Sequence, residues 1–103
     1  MSVKKIEEKE FKNLINNQEK KVIVDCYADW CGPCRMLSPI IDELAEEIDN
    51  CEFYKLNVDE AEEESREYGI MTIPTILIFK EGNLENKSIG LKSKEELKSL
   101  IEE

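Results

Sequence analysis

The run Val22-Ile23-Val24-Asp25-Cys26-Tyr27-Ala28 is almost continuously apolar. A run of that kind reads as a strand buried on both faces, and such strands belong to parallel sheets covered by helices on each side. Asp29-Trp30-Cys31-Gly32-Pro33-Cys34-Arg35 follows at once, and then Leu37, Ile40, Ile41, Leu44 and Ile48 recur at helical spacing. The chain therefore passes from a buried strand into a helix, with two cysteines at the first helical turn. Pro33 suits that place, because the first positions of a helix have no partner for an N–H.

The remaining elements alternate in the same manner. Residues 3–6 read as a short strand. Residues 7–17 read as a helix, with Phe11, Leu14 and Ile15 on one side, Glu7 and Glu8 near its start and Asn16-Asn17-Gln18 as a stop. The central helix spans about 31–49, and Pro39 inside it removes one hydrogen bond and is expected to kink it. Residues 53–58 read as a strand, and 59–68 as a very acidic helical stretch broken by Gly69. Residues 75–79 and 84–89 form a hairpin around Glu81-Gly82-Asn83. Ser93, with Glu96 three residues on, caps a last helix whose inner face is Leu97, Leu100 and Ile101. Alternation of this kind predicts an α/β sandwich with parallel strands, to which the late hairpin adds an antiparallel edge.

The 103 residues suit one domain spanning 1–103. With 14 basic and 24 acidic residues the net charge is −10, which argues against nucleic acid and anionic membrane as partners, since both need a basic footprint. No apolar run reaches the ~20 residues of a membrane span, and residues 1–12 are charged and lack a signal-peptide core. The expected location is the cytoplasm, where thiols stay reduced. Four cysteines in that setting are reactive or buried rather than a disulfide framework.

Disulfide exchange runs through a thiolate. A helix N-terminus favours negative charge, so Cys31 is placed to be the attacking thiol, and Cys34 is near enough to attack a mixed disulfide formed on Cys31. The alternative, half of a structural zinc site, lacks a second ligand pair, and the chain has no histidine. Cys26 and Cys51 stand singly and are most simply buried small hydrophobes, with oxidation chemistry as the alternative. The strand pattern leaves Asp25 with two readings: a desolvated carboxyl of raised pKa that can take a proton near neutral pH, or a carboxylate at a strand end facing water. Trp30, beside the dithiol in a polar loop, suits a partly exposed role better than a core one. Residues 60–67 read as a solvated helix face.

Trp30-Cys31-Gly32-Pro33-Cys34 matches the active-site motif of the thioredoxin family residue for residue. Asp25, Lys55-Leu56-Asn57-Val58-Asp59, Ile73-Pro74-Thr75, Gly82 and Gly90 match it as well, in order and over essentially the whole chain. The resemblance implies a central mixed sheet of about five strands flanked by about four helices. It implies a protein-disulfide oxidoreductase, a general reductase of oxidised cytoplasmic proteins, with Cys31 and Cys34 as the redox-active disulfide. It also implies that Asp25 lies beneath the dithiol and helps deprotonate Cys34, with Lys55 close by. Trp30, Gly32, Pro33, Lys55 and Pro74 would support the site. A proline would ordinarily be expected trans, but the matching proline of the family is cis and packs on the dithiol, which implies the same of Pro74. The backbone of Ile73, with Thr72 and Gly90, would then pair with an extended substrate segment, and Gly69 and Met71 would extend that rim. No metal and no bound cofactor is implied for this chain; NADPH and FAD act in the partner, a thioredoxin reductase. The other partners are disulfide-bearing proteins, and the chain is expected to be a monomer. It departs from the family pattern at Cys26, commonly an aromatic residue, at Tyr27, usually tryptophan, and at Met71-Thr72. These departures bear on substrate preference. An oxidase or isomerase of the same fold is the rival reading, against which the Gly32-Pro33 pair argues. A non-catalytic binding module is another, against which the intact Cys31, Cys34, Asp25 and Pro74 argue.

Overall fold

The computed structural model describes residues 3–103. Met1 and Ser2, which belong to the expected 1–103 domain and to the charged N-terminal segment, lie outside the described residues. In chain order the elements are β1 (Lys4–Lys5), a 3-10 turn (Glu8–Glu10), α1 (Phe11–Ile15), β2 (Lys21–Tyr27), α2 (Gly32–Glu47) and β3 (Cys51–Asn57). A second 3-10 turn (Val58–Glu60), α3 (Glu62–Glu67), β4 (Thr75–Lys80), β5 (Asn83–Ile89) and α4 (Lys94–Ile101) follow. The sheet order is β1-β3-β2-β4-β5. β1 and β2 run parallel to β3, β4 runs antiparallel to β2, and β5 antiparallel to β4. The fold is thus the α/β sandwich of five mixed strands and four α-helices that the sequence pattern and the resemblance led us to expect.

β2 is the central strand, and its two faces serve two cores. Successive side chains alternate across a strand. Ile23 joins Leu37, Ile41 and Leu44 of α2, Leu97 and Ile101 of α4, and Phe53, Ile76 and Ile78 of the flanking strands. Val22, Val24 and Cys26 point the other way, to Phe11, Ile15, Leu56, Leu77 and Phe79. There the rings of Phe11, Tyr68 and Phe79 meet with centroids 5.3–5.8 Å apart, in tilted and edge-on geometries that aromatic quadrupoles favour. Each fully buried Leu, Ile or Phe contributes about 1.5–3 kcal/mol. The strand that delivers the cysteines is therefore anchored in both cores, through Val22, Ile23, Val24 and Cys26.

Several boundaries differ from the sequence reading. The helix expected over 7–17 is a 3-10 turn, fixed by a Glu7–Glu10 capping box, followed by a helix of five residues. So short a helix has no stability of its own and extends only as far as Phe11 and Ile15 are buried. The acidic stretch over 59–68 is likewise divided. Asn57 Oδ1 accepts from the Asp59 N–H and closes the second 3-10 turn, and Ala61 interrupts the helical backbone before α3 begins. Glu64 is not on a solvated face: it is only 5% exposed. β3 starts two residues earlier than expected, at Cys51. The hairpin turn is two residues long, with Glu81 at φ 52° and Gly82 at φ 85°, the positive φ pair that matches the right-handed twist of hairpin strands. α2 runs through Pro39 as one element and ends with the Ile48 N–H donating to the Leu44 carbonyl. The capping box at Ser93 forms as read, with Ser93 Oγ accepting from the Glu96 N–H at 3.2 Å.

Candidate active site

β2 ends at Tyr27, and the chain turns through Ala28 before entering α2. The Cys31 N–H donates to the Ala28 carbonyl, which closes the turn. Cys31 is the extended N-cap of α2, Gly32 its first residue and Pro33 its second. The Cys31 Sγ accepts a hydrogen bond from the Cys34 N–H at 3.2 Å. Free amides at a helix start favour negative charge, so this sulfur is the one the helix would stabilise as a thiolate. Cys31 and Cys34 are joined in a disulfide with Cα atoms 5.2 Å apart. Both are nearly buried, in a small cluster with Ala28, against which Tyr27, Val58 and Ile73 pack.

Asp25 sits on β2 opposite Lys55 of β3 and Ile76 of β4. It is 4% exposed, and one carboxyl oxygen, Oδ1, has no hydrogen-bond partner among the described residues. Burial pushes its carboxyl up to about 7; the positive charge of Lys55 opposes that rise and Asp42 adds to it. Of the two readings the strand pattern allowed, the buried one holds. A cavity of about 170 Å³ adjoins it, lined by Asp25, Cys34, Tyr27, Lys55, Arg35 and Ser38 among others. Asp25, Lys55 and Ser38 give that space polar groups that a water could bridge, and it is roomy enough to hold one. It links the carboxyl to the second cysteine. Lys55 is partly buried, and its Nζ stands 6.0 Å from the centroid of the Tyr27 ring.

The loop before β4 closes the other side of the site. The Ile73–Pro74 bond is cis, as the resemblance implied. The Gly90 N–H donates to the Pro74 carbonyl at 2.8 Å, and the Thr75 hydroxyl donates to the Thr72 carbonyl. These bonds bring Thr72, Ile73, Pro74 and Gly90 together. Gly90 has φ 91°, and nothing occupies the space a side chain would fill. Trp30 is 70% exposed, and its indole N–H donates to Asp59 Oδ2 at 2.9 Å. Met71 is 94% exposed. Gly69, by contrast, ends α3 near Lys87, whose Nζ donates to the Tyr68 carbonyl.

Cys26 and Cys51 are free, buried thiols. Cys26 projects from the face of β2 opposite Asp25, and Cys51 starts β3 at the end of the strand away from Asn57. Burial raises both thiol pKa values, which keeps them protonated and unreactive. Among the described residues no group of three His, Cys, Asp or Glu side chains is placed to hold a metal. The sequence reading gave no role to Arg35 or Ser38, noted Tyr27 only as a departure bearing on substrate preference, and counted Asp59 only within a matching motif. Tyr27 was within reach, since it follows Asp25 by two residues on a strand and so shares its face. Arg35, whose guanidinium donates to the Asp29 carbonyl at 2.7 Å, and Asp59 depend on loop geometry that no sequence period announces.

Comparison with known proteins agrees with this geometry. The family model described as Thioredoxin matches residues 2–103. A thioredoxin of Mycoplasmoides gallisepticum is 49% identical over 82 residues, covering 80% of this chain and 82% of that protein. A thioredoxin of Pyropia yezoensis is 42% identical over 102 residues, covering 98% and 95%. Among solved structures, a mutant thioredoxin from Halobacterium salinarum superposes with a TM-score of 0.90 at 33% identity, covering 98% of this chain and 88% of that one.

Proposed function

The chain belongs to the thioredoxin family and is a disulfide oxidoreductase, and from that premise we propose that it is a general reductase of protein disulfides, acting as a single domain over 1–103, monomeric and cytoplasmic. No helix among the described residues is long and apolar enough to cross a membrane, and the net charge of −10 disfavours nucleic acid as a partner.

The reduced protein docks on a disulfide-bearing partner, with the Thr72–Ile73 backbone and Gly90 alongside an extended segment and Trp30 at the edge. The Cys31 thiolate attacks one sulfur of the partner. The partner's S–S bond breaks, a Cys31–partner disulfide forms, and the leaving sulfur takes a proton. Cys34 gives its proton toward Asp25 through water in the shared cavity, and its thiolate attacks Cys31 Sγ. The mixed disulfide breaks, the Cys31–Cys34 bond forms, and the partner leaves with two electrons and two protons. A thioredoxin reductase, which carries FAD and draws on NADPH, returns two electrons to this chain; neither cofactor is held here. Gly32 and Pro33 let α2 begin at the dithiol, and Lys55 and cis-Pro74 frame it.

The observation that carries this reading is the meeting of Asp25 and Cys34 on one cavity beneath a disulfide that caps α2. The test is reduction of insulin with dithiothreitol as the electron source. The wild type is expected to accelerate it and Cys31→Ser to leave the background rate. A Cys31→Ser variant as active as the wild type would refute the assignment.

A further inference from the structure

The exchange chemistry leaves the ring of Tyr27 without a task. Tyr27 follows Asp25 by two residues on β2, so the two side chains leave the same face of the sheet. Lys55 stands opposite Asp25 in the β2–β3 register. Its ammonium lies 6.0 Å from the Tyr27 ring centroid, at the range where a cation is attracted to an aromatic face. Tyr27, Lys55, Asp25 and Cys34 line the same cavity. Among the described residues no carboxylate lies within ion-pair distance of Lys55. A flexible, strongly hydrated ammonium has many positions open to it, and the Tyr27 ring is in place to favour the one in the cavity.

We propose that Tyr27 is a positioning residue for the exchange reaction: its ring holds the Lys55 ammonium in the cavity beside Asp25 and so sets how readily that carboxyl takes the Cys34 proton. This rests on the reading of Asp25 as proton acceptor. The other groups around Asp25 do not replace Lys55. From α2, Asp42 repels negative charge on Asp25, and Cys34 is the proton donor itself. Arg35 lines the cavity, but its guanidinium is bound to the Asp29 carbonyl, and Asp29 carries the wrong sign. β4 presents the apolar Ile76. Lys5 of β1 and Glu60 of the second 3-10 turn act on the tyrosine and pair with each other at 2.9 Å. Lys55 is therefore the one cation whose position decides the charge balance at Asp25, and Tyr27 decides that position.

The test compares Tyr27→Leu, which removes the aromatic face, with Tyr27→Phe, which keeps it. Two quantities are read: the Asp25 carboxyl titration by carbon NMR in the oxidised protein, and the pH dependence of mixed-disulfide decay in single-turnover rapid quench. In Tyr27→Leu both midpoints are expected to rise by about half a pH unit or more, slowing decay about threefold on the acid side. Tyr27→Phe is expected to match the wild type. In a Lys55→Met background, Tyr27→Leu is expected to add nothing further. An unchanged Asp25 titration in Tyr27→Leu, or full additivity with Lys55→Met, overturns the proposal. A titration that shifts while the decay rate does not follow it overturns instead the assignment of Asp25 as proton acceptor, and with it the part of Tyr27 in the reaction. One measurement needs no variant: the Lys55 ε-methylene protons of the wild type are expected upfield through the ring current. Unshifted ε-methylene signals overturn the proposal whether or not Tyr27→Leu folds.

Discussion

Replacing Asp25 by asparagine should make the oxidised protein more stable at neutral and alkaline pH. The carboxyl rises from the usual aspartate value of 3.8 to about 7 because burial penalises its charged form more than Lys55 favours it. The folded state thus binds the Asp25 proton more tightly than the unfolded state does. Stability from this group is fully present below about pH 4 and is lost as pH rises through about 7. The gap of about three pH units, at about 1.4 kcal/mol each, is worth about 4 kcal/mol. No large discount for solvent screening applies, because the side chain is almost wholly buried. Asparagine keeps the shape and remains neutral, so Asp25→Asn should equal the wild type near pH 4 and exceed it by about 4 kcal/mol at pH 8. Urea unfolding followed by far-UV dichroism would read this as a midpoint higher by about 2 M, for a slope near the middle of the ~1–3 kcal/mol/M range. A difference that stays constant from pH 4 to pH 8, or a variant weaker than wild type at pH 8, would show that Asp25 is not a buried, destabilised carboxylate.

Two other perturbations test how the frame is held. Ser93→Ala removes a capping box whose serine both accepts from the Glu96 N–H and donates to the Glu96 carboxylate; it should cost about 1 kcal/mol and lower Tm by about 4–8 °C in a thermal melt, whereas an unchanged Tm would mean that α4 does not depend on its cap. Gly82→Ala forces a side chain onto φ 85° and sets its Cβ 2.7 Å from Asn16 Oδ1; a loss of about 1–2 kcal/mol is expected in the same assay, and a variant as stable as wild type would contradict the turn geometry.

The sequence carried the elements that bear on the site because their signals are local. The apolar run into β2, the helix start at Pro33 and the cap at Ser93 each follow from a few adjacent residues, and each stands within a residue or two of its expected place. The segments read less well are those with little apolar content. Residues 7–17 and 59–68 take short 3-10 and α pieces whose limits are set by what the sheet can bury. The pattern around Asp25 could not say whether its carboxyl faced water, because that depends on Lys55, Asp42 and the helix above it, all distant in sequence. The same holds for the bond from Trp30 to Asp59, and for Lys21, whose ammonium donates to the carbonyls of Ile101 and Glu103 at the far end of the chain. The cis bond at Pro74 was legible only through family resemblance.

The central claim is that Cys31, at the cap of α2, attacks the partner and that Cys34 resolves the product. The most direct measurement is to react reduced Cys34→Ser with a peptide disulfide, block the remaining thiols and map the adduct by mass spectrometry. A stable mixed disulfide on Cys31, with Cys26 and Cys51 unmodified, is the predicted result. An adduct on Cys26 or Cys51, or no adduct at all, would contradict the account.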